Sequence, residues 1–524
     1  MEARFVAGPR FDRGARVALE SCRVLDVEAG SYFPLGVTPI VRGDVVEALV
    51  GAPGQPTEVE ADLACDLGGR TVMPAMVNTH VHAHVVIPAL VSGLGDLRLI
   101  RRFAASQIER NMADCLAVGV THVRDTLVDD RSSGRTLTDR IARGELPGPR
   151  LQHCVQVGQL GGAETPEQSW REGLLRRTVG LPYLSYDDPR SGTVTFEANA
   201  DEESVRAAVD RAVDERGADG IKAYDQTAKR LSYEPGATLM SQRQLDVLVD
   251  QARRRGLRVT MHHVSVESFR RGVRAGVSSL AHTAIDEALD DADAMALVDG
   301  GVFLEPTLSI GYDLCWRGSS HRFADHPRLA ALEMLREQTF RQLVERHFVA
   351  ELQHAAIAGY RRAKAGHTKL AGVIEVGAAF RHYAGVIGHG IDNARLLYEA
   401  GARFGCGNDA GAVPRSPAMV GLELELFERF VGAGDPAARA RALRSATIDG
   451  AEALGVADRF GSIAPGKVAD LVVLDGDPLR DLSMIGRPVA ALFMDGQLVV
   501  DNCHLADRLQ SAAGRVIAGT KAMG

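Results

Sequence analysis

The chain has 524 residues, 45% hydrophobic and 24% charged, which is ordinary for a soluble globular protein and enough for more than one domain. Its 60 Lys and Arg against 68 Asp and Glu leave a net charge of −8, which argues against nucleic acid as the main partner. The seven cysteines are scattered and form no CxxC pair, so neither a disulfide framework nor a thiolate zinc site is expected.

No apolar h-region opens the chain, and no apolar run is long enough to span a bilayer. The expectation is a cytoplasmic protein with no membrane partner, whose partners are a small-molecule substrate and further copies of the chain. Residues 1–70 read as short β runs separated by turns, such as Val17-Ala18-Leu19 and Val45–Val50. A run from Thr71 to Met76 then reads as the end of a strand, and Val77-Asn78-Thr79-His80-Val81-His82 follows it. Side chains two apart on a strand share a face, so His80 and His82 can present two imidazoles to one point.

From there one unit recurs: a helix-like stretch, a Gly, then a short β-rich run. It is seen at Gly119 before Val120–Asp125, Gly217–Gly220 before Ile221–Tyr224, and Gly256 before Leu257–Met261. It returns at Gly276 before Val277–Leu280, Gly301 before Val302–Glu305, and Gly401 before Ala402–Gly405. Gly after a helix is the usual left-handed cap. Repeated helix–Gly–strand units imply parallel strands joined by helices. With residues 71–82 and 150–158 as further strands, the count is eight. That predicts an α/β fold, a (β/α)8 TIM barrel over residues 71–460, with a doubly wound open sheet as the alternative by pattern.

The stretches 159–200 and 311–390 are long for connections and are expected to form lids or substrate walls. Within them Trp170, Tyr183, Tyr186, Trp316 and Arg317 are expected to line the pocket. Residues 461–505 return to short β runs with hairpin signals at Asp475-Gly476 and Asp495-Gly496. The two chain ends are therefore predicted to combine into one small β-sandwich domain. Residues 506–524 read as a helical tail.

Active residues of such barrels come from the C-terminal ends of the strands. Those positions hold His80, His82, Lys222, His262, His282 and Asp409, a set suited to Zn, Mn or Fe. A buried lysine loses its proton readily. Lys222 as a neutral amine could add carbon dioxide and become an anionic carbamate; alternatively it pairs with Asp225. His84 and Tyr224 share faces with the candidate ligands, and substrate contact or plain packing would explain either. His263 faces the other way and reads as structural, as does His122. Asp125 is suited to orienting a ligand histidine or to capping a helix.

Taken together and in order, these motifs resemble the amidohydrolase superfamily, in its imidazolonepropionase-like branch with prolidase-like and Xaa-Arg carboxypeptidases. The resemblance covers residues 70–500. It rests on His80-Val81-His82 after Met73-Pro74, Ala117–Asp125, Gly148-Pro149-Arg150 and Gly217–Lys222. It continues through His262 and His282 twenty residues apart, Pro306-Thr307-Leu308, Gly407–Gly411, Ala446-Thr447, and Gly461–Pro478. It implies a binuclear centre, most simply two Zn with Mn or Fe as alternatives. His80 and His82 would hold the first metal and His262 and His282 the second, with Lys222 bridging as its N-carboxylated form. It further implies metal-activated hydroxide, with Asp409 as a ligand and as the catalytic proton shuttle.

Two departures bear on substrate. Carboxypeptidase-like members of this branch carry a Thr-Gly-Gly-His-type segment after the third strand, where this chain reads Gln159-Leu160-Gly161-Gly162-Ala163. The deaminase branch places a Glu three residues after the strand-5 histidine, where this chain has Ser265. The expected function is therefore a metal-dependent hydrolase cleaving an amide C–N bond of an N-acyl amino acid, a dipeptide-like molecule or a cyclic amide. His84, Tyr224 and Trp316 are the candidate substrate contacts. A deaminase or lactonase of the same superfamily is the runner-up. A non-catalytic scaffold would be expected to have lost ligands, and all six are present.

Overall fold

The computed structural model describes residues 3–6, 8, 11–83, 94–126, 131–162, 188–227, 237–314, 327–328, 340–364, 369–370, 374–375, 384–411 and 415–519. Short, almost wholly buried runs rich in β-branched residues form the central sheet. Its strands are β1 (Met76–Val81), β2 (Val120–Asp125), β3 (Arg150–Gln159), β4 (Gly220–Tyr224), β5 (Val259–His262), β6 (Ser279–Ala281) and β7 (Phe303–Glu305). All neighbours pair in parallel, in chain order.

Residues 402–410 close the ring between β7 and β1 through isolated parallel bridges, Leu304 with Phe404 and Val81 with Ala410. Asp409 N–H donates to the His80 carbonyl at 2.9 Å and His82 N–H to that of Ala410 at 2.7 Å. This last stave runs so close to β1 that a Cβ on Gly407 would lie 2.5 Å from the Cβ of His80. Glycine there is what lets the barrel shut beside a ligand candidate. Part of the stretch expected to be a long connection is itself strand: Thr193–Phe196 pairs with the outer end of β3.

The helices around the sheet are amphipathic and well capped. Gln242–Arg254 starts in a capping box between Ser241 and Gln244 and buries Leu245, Leu248 and Ala252. Val266–Ala275 ends at Gly276 with φ 71°, the left-handed cap anticipated from the repeat.

The two chain ends build a sandwich of two sheets. One has the order Leu509–Ala518, Glu58–Asp66, Arg16–Glu20, Thr38–Arg42, Val45–Val50. The other runs Gln497–Asp501, Ala491–Met494, Leu471–Leu474, Thr71–Pro74, Arg23–Asp26, Ser31–Tyr32. Val17, Leu19, Val41, Leu49, Val72, Leu471, Val473 and Phe493 fill the space between them. The sandwich meets the barrel where Arg150, at the start of β3, pairs with Asp470 and Asp495, each at 2.6 Å.

Two expectations are corrected. The tail is not helical, because Leu509–Ala518 pairs antiparallel with Glu58–Asp66. Its small residues suit a helix, but Ala512 and Ile517 are buried by the pairing, and tertiary pairing outweighs local propensity. The boundary drawn at residue 71 also moves, since Thr71–Pro74 is a sandwich strand between Leu471–Leu474 and Arg23–Asp26. Among the described residues no helix is long and apolar enough to cross a membrane.

Candidate metal centre

The barrel brings five of the six candidate ligands to the C-terminal ends of its staves and points Lys222 up from within β4. His80 is buried on β1, and His82 follows immediately after that strand with its side chain 14% exposed. Asp409 sits in the closing stave with φ 47°, a left-handed conformation that turns its carboxylate back toward β1. Its Oδ1 lies 3.0 Å from His82 Nε2 and 3.7 Å from His80 Nε2. His282 leaves β6 with φ 74°, and its ring centroid comes within 5.2 Å of that of His80. The ring of His262 stands edge-on to His282 at 4.6 Å. His80, His282 and Asp409 form the tightest group, each offering one donor atom within 4.8 Å of the others.

The histidines are oriented from behind. His80 Nδ1 lies 3.3 Å from Glu305 Oε2, and Glu305 is ion-paired with Arg124 inside the barrel. His282 Nδ1 lies 2.7 Å from Thr307 Oγ1, and His262 Nε2 lies 2.7 Å from Gln226 Oε1. Fixing one ring nitrogen sets the tautomer and aims the other nitrogen at the ring of ligands. Burial pushes the His80 imidazole down to about 4, with the positive charge of Lys222 adding to it against the pull of Glu305 and Asp409. Burial likewise pushes His282 well down. Both rings are thus held neutral, the form that binds a metal.

Burial pushes the Asp409 carboxyl up, but the adjacent His82, His80 and His282 more than offset this and hold it well below the usual carboxylate range. Lys222 is 4% exposed, and burial lowers its amine to about 8 against the raising charges of Asp409 and Glu305. The pairing with Asp225 is not formed. Asp225 instead accepts from Arg271 at 2.9 Å, and among the described residues no hydrogen bond or ion pair engages the Lys222 amine.

The donor set fits a divalent cation on the structure's own terms. Among the described residues His82 Nδ1 is buried without a hydrogen-bond partner, and Asp409 Oδ1 meets only the imidazoles of His82 and His80, at 3.0 and 3.7 Å. Buried polar atoms of that kind are rare in a folded protein unless something is bound to them. Neutral imidazoles beside an ionised carboxylate, without a thiolate, suit Zn, Mn or Fe.

The remaining predicted residues divide. The Tyr224 ring stacks on His262 at 3.9 Å and 7°, so it borders the site. His84 and Trp316 lie outside the described residues, as do Trp170, Tyr183, Tyr186 and Arg317. His263 donates from Nδ1 to the Ala281 carbonyl at 2.9 Å, and His122 packs on Phe460 at 4.1 Å, the structural roles expected of both. Asp125 lies 4.0 Å from His153. Sequence reasoning missed Glu305, Arg124, Gln226 and Thr307. A charged residue two positions from Phe303 on a run as apolar as Val302–Leu304 was the available signal for Glu305, since burying a charge demands a partner.

A model of the amidohydrolase family matches residues 71–499. A 5-methylthioadenosine/S-adenosylhomocysteine deaminase of Teredinibacter turnerae is 40% identical over 101 residues, 18% of this chain and 22% of that protein. An imidazolonepropionase of Picrophilus torridus is 42% identical over 66 residues, 12% of this chain and 17% of that protein. The chain thus matches about a fifth of the length of these curated relatives. Among solved structures, a prolidase complexed with N-methylphosphonate-L-proline superposes with a TM-score of 0.60 at 23% identity, over 93% of this chain and 100% of that one.

Proposed function

The chain belongs to the amidohydrolase family, and from that premise we propose that it is a metal-dependent hydrolase cleaving the C–N bond of a small amide. The substrate we propose is an N-acyl amino acid, a dipeptide-like molecule or a cyclic amide. The observation that carries this is the convergence of His80, His82, His262, His282 and Asp409 about a buried Lys222 that makes no ion pair among the described residues. On this reading His80 and His82 would hold one divalent ion and His262 and His282 a second, two Zn with Mn or Fe as alternatives, with N-carboxylated Lys222 and Asp409 supplying further oxygen donors.

Ions held there would polarise the substrate carbonyl and acidify water. The residues do the rest. Asp409, held anionic, accepts a proton from the attacking water as its oxygen bonds to the carbonyl carbon. When the C–N bond breaks, the same carboxyl donates that proton to the leaving nitrogen. The flat face of Tyr224 stacked on His262 forms one wall where the substrate's side groups would lie.

Deamination is the second reading, favoured by the resemblance to the Teredinibacter deaminase. Against it, Ser265 caps the following helix, its Oγ accepting from Ser268 N–H at 3.1 Å, and a hydroxyl so engaged is a poor proton shuttle. The prolidase bound to a proline phosphonate supports the amide reading by fold alone. A cytoplasmic homo-oligomer completes the proposal, and light scattering of the purified chain tests its last part. The main test is metal content with activity. Less than about one transition metal per chain, together with full activity in His80→Ala, would sink the metal reading. Release of ammonia rather than an acid and an amine would move the assignment to deamination.

A further inference from the structure

Inside the barrel three polar side chains share one level, and two of them carry a buried atom that has no hydrogen-bond partner among the described residues. β3 and β4 pair with Gln156 beside Lys222, and β4 and β5 pair with Lys222 beside Thr260. Directly paired residues of neighbouring strands point to the same face, so Gln156 and Thr260 flank Lys222 on the barrel interior. Their exposures are 2% for Gln156, 4% for Lys222 and 1% for Thr260. Gln156 Nε2 and Thr260 Oγ1 are both buried without a hydrogen-bond partner among the described residues. Unpaired buried donors are costly, and two of them bracketing one amine form an arrangement in want of an acceptor.

We infer that Gln156 and Thr260 are positioning residues that hold the carboxylate Lys222 acquires, the amide N–H donating to one oxygen and the hydroxyl to the other. This rests on the proposed carboxylation of Lys222. In that step the amine lone pair bonds to the carbon of carbon dioxide. One C–O π pair moves onto oxygen, and one N–H proton leaves to solvent, so the product is Lys222 Nζ–COO⁻. An anion buried at this depth needs donors. An arginine or lysine here would supply them but would also neutralise the charge that attracts the cations. An amide and a hydroxyl satisfy the oxygens and leave the full negative charge available to the ions above.

The test uses the full-length chain, stripped of metal and reconstituted with zinc over a series of ¹³C-bicarbonate concentrations. The carbamate carbon is read by NMR, and bound zinc per chain is read on the same samples. The wild type should show a signal that Lys222→Ala lacks. Thr260→Val, which keeps the volume and loses the hydroxyl, should raise the bicarbonate needed for half-maximal signal by about tenfold or more, the worth of one hydrogen bond to a charged group. Thr260→Ser should restore the wild-type value. Gln156→Met should shift it as Thr260→Val does, and Gln156→Glu, which opposes one anion to another, should shift it further. Melting curves show which variants are folded, and the Val/Ser pair at 260 keeps the comparison within a one-methyl change. Wild-type bicarbonate dependence in folded Thr260→Val and Gln156→Met would overturn the inference while leaving carboxylation standing. Absence of any Lys222-dependent signal in the wild type would instead overturn carboxylation itself, and the inference with it.

Discussion

Two glutamates are buried close to the candidate ligands, and their carboxyls are pushed in opposite directions. Glu305, on β7, is ion-paired with Arg124 and faces His80 Nδ1. Burial pushes its carboxyl up, but the charge of Arg124 and the His80 contact outweigh this and hold it down to about 2. Glu423, on the helix Val420–Leu426, accepts the backbone N–H groups of Leu308 at 2.7 Å and Ser309 at 2.9 Å. Burial dominates there and pushes the carboxyl up to about 7. The difference lies in the partner, since Glu305 has a full counter-charge within the same barrel and Glu423 has chiefly peptide dipoles. The comparison teaches that the two halves of the site are braced differently. The His80 half leans on a permanent ion pair. The His282 half leans, through Thr307 and the turn that Glu423 clamps, on groups whose charge is small or changes near neutrality.

Asp409 joins the halves, so its removal should have the largest effect. Asp409→Asn is expected to lower kcat/KM by about 10²- to 10⁴-fold, the range for a general acid–base group, with little change in melting temperature. Activity within tenfold of wild type would mean that the two halves do not share a proton shuttle. Next comes the ion pair. Arg124→Met leaves Glu305 buried without its counter-charge, and breaking a buried pair from one side costs about 3–5 kcal/mol of stability. Adding Glu305→Leu should recover most of that loss. Urea unfolding of the single and double variants reads both numbers, and a single-variant cost below about 1 kcal/mol would show that Glu305 does not depend on its counter-charge.

The barrel and its six candidate ligands were legible because they rest on local chemistry: a Gly before six of the eight short β runs, and a histidine, lysine or aspartate in or just after some of them. What braces them was not. Arg124 and Glu305 meet across the barrel from β2 and β7, and nothing local to either strand announces the partner. The tail Leu509–Ala518 failed for a related reason. Its alanines and glycine favour no strand by themselves, and the exposed edge of Glu58–Asp66 supplies the pairing. The alternative of Asp225 as the partner of Lys222 could not be decided locally for the same reason, because Arg271, which takes Asp225, comes from the helix Val266–Ala275.

Glu423 gives the third test, a pH dependence whose sign follows from its raised carboxyl. The native state binds that proton more tightly than the unfolded chain. Stability from this source is therefore complete below about pH 4.5 and is lost as the pH rises through about 7. The shift from 4.5 to about 7 corresponds to roughly 3 kcal/mol at most. Glu423→Gln, which still accepts through its amide oxygen, should flatten the stability profile across that window. A wild-type profile as flat as the variant's would mean that Glu423 stays ionised and that the two glutamates are alike after all.

The smallest effect should be at Thr307, and it distinguishes the halves most directly. Thr307→Val keeps the shape of the side chain and removes the oxygen 2.7 Å from His282 Nδ1. Loss of an orienting partner of a metal-ligating histidine costs about 10- to 100-fold in metal affinity, and a neutral hydroxyl belongs at the low end. Glu305→Gln removes a charged partner from His80 and belongs at the high end. Zinc titration of the metal-free chain, followed calorimetrically, should show two steps. If the halves are braced independently, Thr307→Val weakens one step about tenfold and Glu305→Gln weakens the other. If both substitutions weaken the same step, His80 and His282 serve a single ion, as their 5.2 Å ring separation and shared group with Asp409 would allow, and the division into two halves fails.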